Sequence, residues 1–227
     1  MRPELRRVGE SQSRVVVIDE FSAAIEEILR VADALAPYPP ISNYYPGLRR
    51  VIAETDAEAW SYVERLCSDA AQFIAGAFDV DGFDLIEASF SMVTTEPTKL
   101  IPEQRMPHFD STDPKHYALL HYLRVPPGTG TAFYRQRSTA IERVTDTNRE
   151  AFLRTASAEM IRLPRDSGYI AGSNELFEEI GAVEAVPDRL IIYQGSLLHS
   201  GIIPRDMNLS ADPREGRLTA NIFVRGH

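Results

Sequence analysis

Three short stretches carry side chains whose types and spacing suit chemistry. The first is Met106-Pro-His-Phe-Asp110, which holds the single His-x-Asp of the sequence. In an extended segment His108 and Asp110, at i and i+2, point the same way. The second is Leu190-Ile-Ile-Tyr-Gln-Gly-Ser-Leu-Leu-His199, an apolar run that ends on a histidine. A polar ring at the end of a buried run needs a partner, and a metal ion is one. Two imidazoles and a carboxylate can hold non-haem Fe(II) on one face and leave positions open. The third is Gly216-Arg-Leu-Thr-Ala-Asn-Ile-Phe-Val224. As a strand it puts Arg217, Thr219, Asn221 and Phe223 on one face and Leu218, Ala220, Ile222 and Val224 on the other. A planar guanidinium beside a hydroxyl makes a clamp for a carboxylate. Each piece alone has a plain reading: a solvated His–Asp loop, a satisfied core histidine, an edge strand with a polar face. The three in this order are far less expected by chance.

The elements that must position them alternate between helix and strand signals. Arg14-Val-Val-Val-Ile18 is a β-branched run and reads as a strand, after a polar, loose stretch over 1–13. Ile25, Ile28, Leu29, Ala32 and Leu35 recur at helical spacing behind Ser22 as N-cap, and Pro37, Pro39 and Pro40 stop that helix. A second helix is expected from about Asp56 to Ala77, with Trp60, Val63, Leu66, Ala70, Phe73 and Ile74 on one stripe. Strands follow at 85–95, 117–125, 131–134, 189–193, 196–200 and 218–224, separated by Gly/Pro turns. Residues 135–166 form an excursion with helix-like spacing from Asn148 to Ile161. This is a mainly β pattern with flanking α-helices. It suggests one jelly-roll-like sheet pair in a single domain over 1–227, with the first 80 residues packing on a core over 85–225.

Composition bounds the partners. The chain has 227 residues, 44% of them hydrophobic, enough for a sizeable core. A formal charge of -9 disfavours nucleic acid and anionic membrane as partners. No apolar run approaches the ~20 residues of a membrane span, so no membrane association is expected. The lone Cys67 cannot form an internal disulfide and reads as a buried filler, which fits a reducing, cytoplasmic setting.

With those residues in hand, the sequence resembles the Fe(II)/2-oxoglutarate-dependent oxygenase superfamily. The layout is that of its prolyl-4-hydroxylase-like branch, closest to a bacterial domain-of-unknown-function family. The matching text is Pro107 to Pro114, Tyr117 to Leu123, Gly130 to Tyr134, Leu190 to Ser200 and Gly216 to Phe223, with Asn43-Tyr-Tyr-Pro-Gly47 as a further match. The resemblance implies a double-stranded β-helix of cupin-like form, with Fe(II), 2-oxoglutarate and O2 as cofactor and cosubstrates. It implies His108, Asp110 and His199 as catalytic metal ligands, and Arg217 and Thr219 as the residues that bind the far carboxylate of 2-oxoglutarate. In many relatives the basic residue follows the distal histidine more closely; Pro204 to Glu215 then reads as an inserted loop, and Arg205 is the weaker rival. His121 is a further candidate beside the cosubstrate, against the plain reading of a hydrogen-bonded core histidine. The implied chemistry couples decarboxylation of 2-oxoglutarate to hydroxylation, desaturation or ring closure at an unactivated C–H. The carboxylate of Asp110 argues against halogenation, since halogenating relatives lack it.

Tyr44, Tyr45, Tyr134, Arg135 and Arg137 are candidates to bind a small-molecule substrate, with Arg49 also at the mouth. The arginines would suit an acidic or amino-acid-like molecule, alongside a natural product more generally. The 135–166 excursion is a candidate lid or homodimer contact. Two other classes keep the same barrel: a cupin-like metalloenzyme without 2-oxoglutarate, and a ligand-binding barrel without turnover.

Overall fold

The structure, a computed structural model, describes residues 1–40, 44–164 and 167–227. Asn43 of the aromatic turn lies outside them. Ten strands and three α-helices follow in the order β1(Arg2–Val8), β2(Ser13–Asp19), α1(Ile25–Ala34), β3(Gly47–Val51), α2(Ala57–Phe78), β4(Phe83–Val93), β5(His116–Arg124), β6(Gly130–Gln136), α3(Arg149–Glu159), β7(Phe177–Glu184), β8(Arg189–Gln194), β9(His199–Ile202) and β10(Leu218–Gly226). All pairings are antiparallel. One sheet runs β1-β2-β8-β5-β10-β4-β3 and the other β7-β6-β9.

The large sheet is covered on both faces, and each face has its own reason. Its outer face meets α1 and α2: Ile28, Val31 and Ala32 of α1 and Tyr62, Val63, Leu66, Ala70 and Ile74 of α2 pack on Ile18, Phe90, Leu119, Ile192 and Ile222. Leu218, Ala220, Ile222 and Val224 lie in that layer, on the face the alternation of β10 assigns them. The inner face meets the small sheet through Val15, Val17, Tyr122, Phe133, Val183, Ile191, Tyr193 and Leu197. Where side chains cover both sides, as along Leu190 to Tyr193 of β8, a central strand loses the polar alternation that marks a half-exposed one. Burying a leucine- or isoleucine-sized side chain contributes roughly 1.5–3 kcal/mol, so these two layers dominate the stability of the sheet pair.

Two local expectations change. Residues 1–13 are not loose: Arg2 to Val8 pair with β2 from Arg2↔Asp19 to Val8↔Ser13. The strand is an exposed edge, so it carries no apolar alternation, and pairing rather than burial makes it a strand. Its turn depends on Gly9, at φ +66, where a Cβ would lie 2.3 Å from a Glu142 carboxylate oxygen. That carboxylate accepts the Glu10 and Ser11 N–H groups, each at 2.9 Å. Ser22 does not cap α1, whose N-cap is Ala24; its hydroxyl and N–H both donate to Asp188.

Candidate functional site

His108 and His199 are partners in an isolated antiparallel bridge. Each backbone N–H donates to the other's carbonyl at 2.9 Å. Directly opposed residues of such a pair project from the same face of the sheet, and the two rings lie 4.3 Å apart between centroids. The hydrogen bonds that extend the small sheet therefore also bring together two histidines distant in sequence. Asp110 is held next to them by its own N–H, which donates to the Gly195 carbonyl at 2.7 Å. Gly195 in turn donates to the His116 carbonyl at 2.8 Å. A Cβ on Gly195 would lie 2.3 Å from His116 Nδ1 and 3.3 Å from Asp110 Cβ, so this position needs glycine for close approach.

The side chains converge. Asp110 Oδ1 is 3.9 Å from His108 Nε2, and Asp110 Oδ2 is 3.6 Å from His199 Nε2. One donor atom from each residue lies within 4.8 Å of the others. His199 Nδ1 is 2.8 Å from the Leu197 carbonyl. A carbonyl only accepts, so Nδ1 carries the proton and Nε2 keeps its lone pair toward Asp110. Burial pushes His199 down to about 4. The same desolvation, with His199 beside it, lowers His108, whose side chain keeps 59% of its surface open to the cleft. Desolvation raises Asp110, against the pull of His108, His116 and Arg49. Two neutral imidazoles with free Nε2 atoms or open faces and one carboxylate match the donor set of a divalent ion such as Fe(II).

The cluster opens into a cavity of about 480 Å³ between the sheets. Arg217, Thr219, Asn221 and Phe223 line it, so the polar face of β10 is its floor. Arg217 is 4% exposed, and its buried Nε has no hydrogen-bond partner among the described residues. Its guanidinium lies 6.0 Å from the centre of the Tyr122 ring. The Thr219 hydroxyl donates to Asn221 Oδ1 at 3.1 Å, and Asn221 Nδ2 donates to Ser91 Oγ at 3.3 Å. Arg49, on β3, donates to Glu87 at 2.7 Å and to Ser89, between the Tyr45 and Phe223 rings, each 5.9 Å away.

The structure thus brings His108, Asp110, His199, Arg217, Thr219, Tyr44, Tyr45 and Arg49 around one cavity. Four other expected site residues lie elsewhere. His121 points to the helix-covered face of the sheet, as its register partner Ala220 does, and bonds Tyr62 and Asp188. Tyr134 is fully buried in the layer between β6 and α3. Arg135 is matched by Glu10, Glu142 and Glu178, and Arg137 bonds the Asn174 carbonyl. None of these four borders the cavity. On β6, alternation turns Tyr134 away from the neighbouring Phe133, which faces the inter-sheet core. Arg205 is exposed and outside the cavity wall. The Cys67 thiol is pushed up to about 11 by burial, which leaves it protonated and inert at neutral pH. Tyr169, Ile203 and Ser91 had no signal in the sequence. Tyr169 and Ile203 line the cavity from loops, and Ser91 supports its floor from β4.

Comparison with known proteins agrees with this architecture. The sequence profile of DUF6445, a family of unknown function, matches residues 1–224. A search of curated proteins finds no match. Among solved structures, the chain is similar to the non-heme alpha ketoglutarate dependent epimerase SnoN from nogalamycin biosynthesis, at 15% identity and TM-score 0.58, covering 95% of this chain and 80% of that one. It is similar to AviO1 from Streptomyces viridochromogenes Tue57 at 15% identity and TM-score 0.55, covering 97% and 90%. HygX from Streptomyces hygroscopicus, with nickel and 2-oxoglutarate bound, aligns at 16% identity and TM-score 0.51, covering 95% and 84%. The likeness establishes the jelly-roll fold expected from the sequence. No described helix is long and apolar enough to cross a membrane.

Proposed function

From a chain that belongs to the DUF6445 family, we propose a non-haem Fe(II)/2-oxoglutarate-dependent oxygenase that oxidises a C–H bond of a small molecule. The observation that carries this reading is Arg217: a buried guanidinium with an unmade Nε–H bond, in the wall of the cavity that holds His108, Asp110 and His199. An unpaired buried cation is costly, and a ligand carboxylate is the partner that suits a planar fork of donors. A metalloenzyme without cosubstrate leaves that group unexplained; a ligand-binding barrel without turnover would keep it as a carboxylate anchor and differs in forming no succinate.

In this reading His108, Asp110 and His199 hold the ion, and Arg217 with Thr219 holds the far carboxylate of 2-oxoglutarate. The bound iron, with its cosubstrate and O2, supplies the oxidising power for hydroxylation, desaturation or cyclisation. The chain's own part is placement. The Leu197 carbonyl fixes the tautomer and tilt of His199. The Gly195 carbonyl fixes the backbone under Asp110. The single proton of the Thr219 hydroxyl goes to Asn221 Oδ1, so the hydroxyl would have to turn from Asn221 to donate to the far carboxylate of 2-oxoglutarate. Aromatic and apolar walls, Tyr45, Phe109, Tyr169 and Ile203 among them, exclude water from the reacting face. Of the three arginines that would suit an acidic or amino-acid-like substrate, Arg135 and Arg137 are occupied elsewhere and only Arg49 borders the cavity, where Glu87 already pairs with it.

Anaerobic titration of the apoprotein with Fe(II) and then 2-oxoglutarate tests this. A weak visible charge-transfer band should form with wild type and be absent from His199→Ala. Arg217→Met should weaken 2-oxoglutarate roughly 30- to 1,000-fold, the effect of removing one partner of a buried charge pair. No band in the wild-type protein overturns the proposal.

A further inference from the structure

We infer that the molecule oxidised presents an uncharged face to the cleft, because the site has room in its charge balance for one dianion and no second anion. This rests on the reading of Arg217 as a carboxylate anchor.

Among the described residues, the charged side chains in the cavity wall are Arg49, Glu103, Asp110 and Arg217. Imidazoles that ligate a metal ion, as His108 and His199 would, are neutral, and burial pushes His116, the third histidine of the wall, below its ordinary value. Arg49 is already matched: its side chain is 10% exposed, Glu87 sits 2.7 Å from Nη2, and Ser89 takes bonds from Nε and Nη2. Arg217 Nε is buried with no hydrogen-bond partner among the described residues. A divalent ion brings two positive charges, Asp110 removes one and Arg217 adds one. The remaining two are cancelled by a single dicarboxylate. A second anion would then have to break the Arg49–Glu87 pair and strand the Glu87 carboxylate beside it. It would also pass Glu103, an exposed acid at the rim. Unpaired charge of this kind is how a site rejects a competitor. An uncharged molecule instead meets the aromatic and aliphatic surface of Tyr44, Tyr45, Phe109, Tyr169 and Ile203. Such a lining, with a few polar groups, suits an apolar ring.

The test uses two probes with one ring and different charge, 2-naphthalenemethanol and 2-naphthoate. Saturation-transfer NMR reads their binding to the full-length protein loaded with redox-inert Zn(II) and 2-oxoglutarate. The alcohol should bind, and the carboxylate should bind at least ten-fold more weakly. Glu87→Gln releases Arg49 and should raise naphthoate binding about ten-fold while leaving the alcohol unchanged. Equal binding of the two probes to wild type, or binding of neither, overturns the inference. A companion titration without 2-oxoglutarate separates this from failure of the oxygenase reading. There Arg217 is free, so naphthoate should bind, be displaced by 2-oxoglutarate and be lost in Arg217→Met. If 2-oxoglutarate displaces nothing, the oxygenase reading has failed, whatever the probes do.

Discussion

Two histidine–aspartate groupings lie on opposite sides of the large sheet, and they differ in what is left to bind. On the helix side, His121 is wholly buried. Its Nδ1 is 2.8 Å from the Tyr62 hydroxyl and its Nε2 is 3.0 Å from Asp188 Oδ1. The carboxylate can only accept and the phenol donates, so the ring is neutral with its proton on Nε2. Asp188 also accepts the Ser22 and Ala23 N–H groups at 2.9 and 3.0 Å. On the cavity side, among the described residues, the Asp110 carboxylate is paired with imidazole nitrogens at 3.6 and 3.9 Å, and Arg217 Nε has no hydrogen-bond partner. Residue types are the same in both places. In the first both ring nitrogens of the histidine are used within the chain, which makes it a fastener; in the second the polar atoms converge on a cavity, where a ligand could use them.

The largest effect should come from breaking the fastener. Asp188→Ala strands a buried imidazole N–H and several backbone donors, and removal of one partner from such a group costs about 3–5 kcal/mol. In a chain of this size that lowers the thermal midpoint by roughly 6–20 °C, while Fe(II) binding by the folded fraction stays unchanged. His199→Ala should do the reverse: at least a 100-fold loss of Fe(II) affinity, about 2.7 kcal/mol, with stability within about 1 kcal/mol of wild type. Paired calorimetry and anaerobic metal titration read both variants. Equal stability losses in the two would erase the distinction.

That distinction was only half visible in the sequence. His108 with Asp110 stood out because i,i+2 spacing in an extended segment is a local fact, and Arg217 with Thr219 because β10 alternates cleanly between faces. His121 sits in an equally apolar strand, Tyr117 to Leu123, and which way its ring turns depends on pairing with Ala220. One residue of register decides between the cavity and the helix layer. Arg135 turns on a different long-range fact: its carboxylate partners, Glu10, Glu142 and Glu178, come from three distant segments. The helices and most strands were legible from period. The edge strand β1 was not, since pairing leaves no hydropathy pattern when both faces stay wet. His199 was found by its place after an apolar run, but its cross-strand bridge to His108 is a long-range contact that no local signal carries.

Smaller perturbations sharpen the comparison. Burial raises Asp188, but hydrogen bonds from His121 and Ser22 outweigh it and hold the carboxyl at about 2. Desolvation lowers His121 below its ordinary 6.5. Both folded values lie under their unfolded ones, so both contributions are present at neutral pH and lost toward acid. The His121 share begins to fade as pH falls below 6.5. The Asp188 share, on the order of 2 kcal/mol, is lost between about pH 4 and 2. Urea unfolding across that range should show the loss in wild type and a shallower one in Asp188→Asn. The smallest effect is that of Tyr62→Phe, about 1 kcal/mol for one deleted hydrogen bond. It leaves His121 Nδ1 with an unused lone pair, so protonation of the ring becomes easier and its NMR titration midpoint should rise. Because Tyr62 and His121 face away from the cavity, Fe(II) and 2-oxoglutarate affinities should not move. A change in either affinity would couple the two faces through β5, and the fastener would then be part of the site.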